Sequence, residues 1–188
     1  GRSPPPVEVQ LPGCNAALDG LGLSYVDCGE AVEHLELAAG DVNGDGRPDL
    51  AVSSPIEVTV LLGGARLPER TSLEELVGGG RAARVIHGLD TTAAVAGGAD
   101  LDGDGLGDLA VRIKMDSIGK KAEVFIVPGA RTWPAERFLY DFPCWRSLAE
   151  EDGLGEGLAL VSDLNGDGRG EIVLGAPMQD EESRVYIA

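Results

Sequence analysis

Asp41-Val42-Asn43-Gly44-Asp45-Gly46-Arg47-Pro48-Asp49-Leu50-Ala51-Val52 places an oxygen-bearing side chain at positions 1, 3, 5 and 9, counted from Asp41, with glycine at position 6. The pattern returns as Asp100-Leu101-Asp102-Gly103-Asp104-Gly105-Leu106-Gly107-Asp108-Leu109-Ala110-Val111. It returns again as Asp163-Leu164-Asn165-Gly166-Asp167-Gly168-Arg169-Gly170-Glu171-Ile172-Val173-Leu174. The copies recur about every 60 residues, and a fixed period of that size marks a repeat architecture.

The spacing has a chemical consequence. Carboxylates at alternate positions of a tightly curled backbone point inward and repel at close range. A hard cation removes that cost. Calcium takes six to eight oxygens at about 2.3–2.6 Å in irregular geometry, whereas magnesium demands a strict octahedron. Candidate ligands are Asp41, Asn43, Asp45 and Asp49; Asp100, Asp102, Asp104 and Asp108; and Asp163, Asn165, Asp167 and Glu171. Gly46, Gly105 and Gly168 supply a backbone angle that side chains resist. The carbonyls of Arg47, Leu106 and Arg169 at position 7 are then expected to turn inward as further ligands, for about three Ca2+ ions per chain. Position 12 is Val52, Val111 and Leu174, so the bidentate glutamate of an EF-hand is missing. Asp, Asn and Gly also make ordinary turns, but that does not explain three copies in one register with an acid at position 9.

Short apolar stretches surround each loop. Val32–Leu37, Thr92–Ala96 and Leu158–Val161 precede the loops. Val58–Leu62, Val124–Val127 and Val185–Ile187 follow as later strands, and Ala83–His87 and Arg137–Tyr140 read as a fourth strand in the first two repeats. Four short antiparallel strands per unit are the organisation of a propeller blade. The fold class expected is all-β, with three four-stranded blades. The domain reading is a Pro-rich N-terminal segment over 1–29, with Val7–Leu11 as a possible edge strand, then repeats at about 30–90, 91–150 and 151–188. The connector Pro68–Leu76 has room for one helical turn.

The 188 residues carry 32 Asp+Glu against 15 Lys+Arg, a formal net charge of −17. That balance opposes nucleic-acid binding and docking on anionic membrane. No apolar run reaches the ~18 residues that cross a bilayer. Gly1–Pro6 begins without Met or an apolar core and reads as a processed end, and Leu11-Pro12-Gly13-Cys14 follows polar residues unlike those before a lipidation site. Cys14, Cys28 and Cys144 form no zinc spacing. A Cys14–Cys28 bridge, a bridge from Cys144 to either of them and three buried thiols all remain open.

The chain resembles the FG-GAP repeats of the integrin α-subunit β-propeller. The three loops match that family's Asp-x-Asp/Asn-x-Asp-Gly-x-x-Asp motif. Leu154-Gly155 stands at its Phe-Gly, Gly175-Ala176-Pro177 is its Gly-Ala-Pro, and Arg184–Ile187 matches the strand after it. Ser53-Ser54-Pro55 is a weaker Gly-Ala-Pro, and Arg112-Ile113-Lys114 departs from it. The resemblance covers about residues 30–188 and implies a ring, commonly of seven blades. Three blades cannot close one, so a fragment of a longer propeller and a homo-oligomeric six-bladed ring are both expected possibilities.

The resemblance implies a calcium-stabilised scaffold, secreted or at the cell surface, serving adhesion or interaction with a protein or glycan ligand. The alternatives are a non-catalytic module of a secreted enzyme and a lectin-like glycan binder. His34 and His87 lie in no metalloprotease motif, and no nucleophile elbow, P-loop or dinucleotide fingerprint is present; no catalytic residue and no enzyme activity are expected. The aromatic group Trp133, Tyr140, Phe142 and Trp145 suits interblade packing better than ligand stacking.

Overall fold

A computed structural model of the chain describes residues 25–27, 37–54, 56–64, 67, 70–88, 93–114, 122–146, 154–177 and 183–188. The first part runs β1 (Tyr25–Asp27), β2 (Leu37–Gly40), β3 (Asp49–Ser53), β4 (Glu57–Leu61), β5 (Arg70–Ser72), α1 (Leu73–Gly78) and β6 (Ala82–Ile86). It continues with β7 (Ala94–Gly97), β8 (Leu109–Lys114), β9 (Ala122–Val127), β10 (Glu136–Phe138) and β11 (Cys144–Arg146). The last sheet holds β12 (Gly157–Val161), β13 (Glu171–Ala176) and β14 (Arg184–Ile187). The fold is all-β and propeller-like.

Each acidic loop joins the first strand of a sheet to the second. The antiparallel orders are β2-β3-β4-β6, β7-β8-β9-β11 and β12-β13-β14. The first strands β2, β7 and β12 lie side by side, which stacks the sheets as successive blades. Close approach there depends on absent side chains: a Cβ on Gly98 would come 2.7 Å from the Ala39 carbonyl.

Burial follows the stacking. The middle strand β8 is covered on both faces, so Leu109, Ala110, Val111, Arg112 and Ile113 are all buried. Val58, Val60, Val85, Leu109, Val111, Ile113, Phe125 and Leu139 form the core between the first two blades. Ala110, Val124, Ile172 and Leu174 form the smaller core between the second and third. Strand β14 is exposed along its length. The two faces of β8 each remove apolar side chains from water, worth about 1.5–3 kcal/mol per fully buried large residue.

The connector forms its turn of helix because Ser72 and Glu75 make a capping box: the Ser72 hydroxyl accepts from the Glu75 amide, and Glu75 accepts from the Ser72 amide. Leu73 and Leu76 then pack on Val52, Leu61 and Ala82.

One strand assignment is corrected. Arg137–Tyr140 does not close the second blade. Residues 136–138 form β10, which adds in parallel to β6 of the first blade, and Leu139–Asp141 turn as a 3-10 helix. The Arg84 amide donates to the Ala135 carbonyl at 2.8 Å, and the Arg84 guanidinium faces Glu57, Glu74 and Glu136. Leu139 is fully buried beyond this junction, which turns the chain away. The strand that closes the second blade is β11, paired with β9.

The pair Cys14 and Cys28, His34 and the stretch Val7–Leu11 lie outside the described residues, as does the Cys144 side chain. Among the described residues, no helix is long and apolar enough to cross a membrane.

Candidate metal centre

The loops fold by capturing their own amides. In the first, Asp41 Oδ1 accepts from the amides of Gly44 at 2.8 Å and Asp45 at 3.1 Å, and Oδ2 accepts from Gly46 at 2.8 Å. Asn43 Oδ1 accepts from the Asp45 amide, and Asp45 Oδ1 from the Arg47 amide. The second loop repeats each bond: Asp100 accepts from Gly103, Asp104 and Gly105, Asp102 from Asp104, and Asp104 from Leu106. These bonds need left-handed backbone at two positions. Gly44 and Gly46 have φ of 72° and 81°, and Gly103 and Gly105 have 83° and 85°. Position 6 was expected from sequence; position 4 is equally required, and its signal was the glycine repeated at 44, 103 and 166.

Position 9 has a different task. Asp49 is buried, with Oδ2 accepting from the Val42 amide at 2.8 Å and Oδ1 from the Gly63 amide at 2.6 Å. Asp108 holds Leu101 at 2.7 Å and Gly129 at 2.8 Å in the same way. One carboxylate thus fastens the loop's start to the segment leaving the third strand. Glu171 accepts from the Leu164 amide at 2.6 Å. Gly63 and Gly129 were not anticipated as parts of the site, because nothing local links them to a loop more than a dozen residues earlier.

The acids converge. One oxygen from each of Asp100, Asp102 and Asp108 lies within 4.8 Å of the others, and the same holds for Asp163, Asp167 and Glu171. Burial raises the pKa of Asp49 and of Asp108 above the ordinary 3.8, against the lowering effect of their two amide donors, and the neighbouring loop carboxylates raise both further. Asp163 has φ of 25°, a left-handed backbone on a non-glycine residue. The donor set is carboxylate and amide oxygen, which suits a hard cation. The amides of Arg47, Leu106 and Arg169 donate into their loops.

Residues 36–64 and 154–187 match the family model of the FG-GAP repeat. These two segments are similar to FG-GAP repeats. The middle blade lies outside the matched segments, yet its loop reproduces the hydrogen bonds of the first FG-GAP loop. A search of curated proteins found no match.

Other singled-out residues lie elsewhere. His87 is buried just after β6, and desolvation lowers its pKa. Trp133 and Phe142 pack against the core, with the Arg137 guanidinium 5.0 Å and 4.5 Å from their ring centres. Tyr140 meets Phe125 edge-on at 5.5 Å. The Trp145 side chain is outside the described residues.

Proposed function

We propose that the chain is a calcium-binding, non-catalytic propeller module that serves as an extracellular interaction or adhesion scaffold. The observation that carries this reading is the convergence of Asp100, Asp102 and Asp108, and of Asp163, Asp167 and Glu171, within loops built to hold them together. Each loop offers three or four side-chain oxygens, with the position-7 carbonyl as a further ligand. The ligand set is that of positions 1, 3, 5, 7 and 9 in all three loops. A bound cation would supply charge neutralisation and a rigid link across the hairpin. Extracellular modules bind calcium at about 10⁻⁴–10⁻³ M, which fits an acidic chain working where calcium is plentiful.

Isothermal titration of calcium into chelator-stripped protein tests the reading. Saturable binding of about three ions supports it, and absence of heat and of any competition with terbium luminescence overturns it.

A further inference from the structure

Two of the chain's asparagines, Asn43 and Asn165, stand directly before glycine, each at position 3 of an acidic loop and each within the sequence Asn-Gly-Asp-Gly-Arg. An asparagine in that setting is open to attack from its own chain. The glycine nitrogen can reach the side-chain carbonyl carbon, because a residue without a Cβ leaves the approach clear. Position 3 of the second loop is already an aspartate, Asp102.

The first and third loops prepare the side-chain carbonyl alike. Asn43 Oδ1 accepts from the Asp45 amide at 2.9 Å, and Asn165 Oδ1 accepts from the Asp167 amide at 2.8 Å. A donor therefore stands where negative charge develops on that oxygen during attack. The attacking nitrogen is treated differently. The Gly44 amide donates to Asp41 Oδ1 at 2.8 Å, and a bond to a carboxylate holds the proton on nitrogen and fixes the peptide plane. In the third loop that capture is missing. Among the described residues, Asp163 accepts from none of the amides of Gly166, Asp167 and Gly168, and the Gly166 amide has no acceptor. The backbone differs at the same residue: Asp163 has the left-handed φ of 25° that Asp41 and Asp100 do not share.

We propose that Asn165 is a site of spontaneous deamidation and that the Asp41 carboxylate spares Asn43. The Gly166 nitrogen gives its proton to solvent and bonds to Asn165 Cγ. The Cγ–Nδ2 bond breaks, and Nδ2 leaves as ammonia with a proton returned from water. Water then opens the cyclic imide at either carbonyl, giving aspartate or isoaspartate. One water is consumed, one ammonia is released, and nothing is oxidised or reduced. The aspartate product makes position 3 of the third loop match Asp102. The isoaspartate product lengthens the main chain by a methylene between positions 3 and 4 and displaces the carboxylate. The reaction requires no bound metal.

The test incubates the folded, chelator-stripped full chain at mildly alkaline pH. Chromatography and mass spectrometry of its digest then read Asn, Asp and isoAsp at both positions. Asn165 is expected to convert roughly tenfold faster than Asn43, as for one hydrogen bond to a charged acceptor retained in the slower loop. In concentrated urea the two identical five-residue sequences should convert at one rate, since the difference belongs to the fold. Asp41→Ala should raise the rate at Asn43 to that at Asn165. Equal rates in the folded chain overturn the proposal, as does a faster Asn43. A rate ratio that persists in urea, or an Asn43 rate unmoved by Asp41→Ala, overturns it as well.

Discussion

The amide of Gly107 donates to the carbonyl of Asp41 at 2.8 Å, tying position 8 of one acidic loop to position 1 of the loop before it. The third loop does the same, with the Gly170 amide 2.6 Å from the Asp100 carbonyl. Position 8 of the first loop is Pro48, which has no amide hydrogen, so the first blade makes no such bond to any preceding blade. The loops therefore act as a ladder: ordering position 1 of one loop fixes the acceptor that the next loop grips. Leu106 reinforces the contact, since a Cβ on Gly44 would meet its side chain at 2.5 Å.

Gly107→Ala tests the ladder. Its Cβ would lie 2.9 Å from the Asp41 carbonyl, and backbone cannot yield as a side chain does. The expected loss is about 1–3 kcal/mol, typical of overpacking, read as a lower midpoint in urea. Gly105→Ala, with open space around its Cβ, would be strained only by its positive φ and should cost less, about 1 kcal/mol.

Position 9 and position 3 should separate cleanly. Asp108→Ala strands the Leu101 and Gly129 amides at a buried site, so it destabilises the protein by about 2–5 kcal/mol even without metal. Asp102→Asn changes an exposed side chain that accepts one amide, and the first and third loops carry Asn43 and Asn165 there. Its metal-free melting curve should match the parent's within about 0.5 kcal/mol.

The pH dependence of the chelated protein follows from Asp49 and Asp108. Both carboxyls have folded pKa values raised by burial above 3.8. The folded state thus holds protons that the unfolded chain releases. Their contribution is full below the ordinary value and is lost as pH rises through the raised folded values. The chelated protein should melt at a lower temperature at neutral pH than near pH 4, and saturating calcium should flatten the trend. A chelated protein that gains stability over that range contradicts the assignment.

Arg84 joins three elements, reaching Glu57 on β4, Glu74 on α1 and Glu136 on β10. Arg84→Met should release β10 from β6 while leaving β2–β4 paired. Hydrogen exchange should accelerate first at residues 136–138, and unchanged protection there would remove Arg84 from that role.

The loops and most of their flanking strands were legible in sequence because acids, glycines and apolar residues repeat in one register, each signal lying within a dozen residues; the strand before the first loop reads as Val32–Leu37, whereas β2 is Leu37–Gly40 and residues 32–36 lie outside the described residues. The parts missed depend on contacts far along the chain. Arg137-Phe138-Leu139-Tyr140 reads as a strand, and part of it is one, but no local pattern shows that its partner is β6 rather than β9. Asp49 and Asp108 read as metal ligands, while their bonds to Gly63 and Gly129 appear only once the third strand has returned beside the loop. Pro48, Gly107 and Gly170 look like turn residues until the neighbouring blade is in place.

The central claim is that the acidic loops hold calcium and that this holds the blades together. Its most direct test is the melting temperature of the chelator-stripped chain against added calcium. At tenfold excess over the dissociation constant, each independent site adds about 1.4 kcal/mol, so the account predicts a rise of several degrees that saturates and is abolished for one site by Asp104→Ala. An identical melting temperature with and without calcium would contradict it.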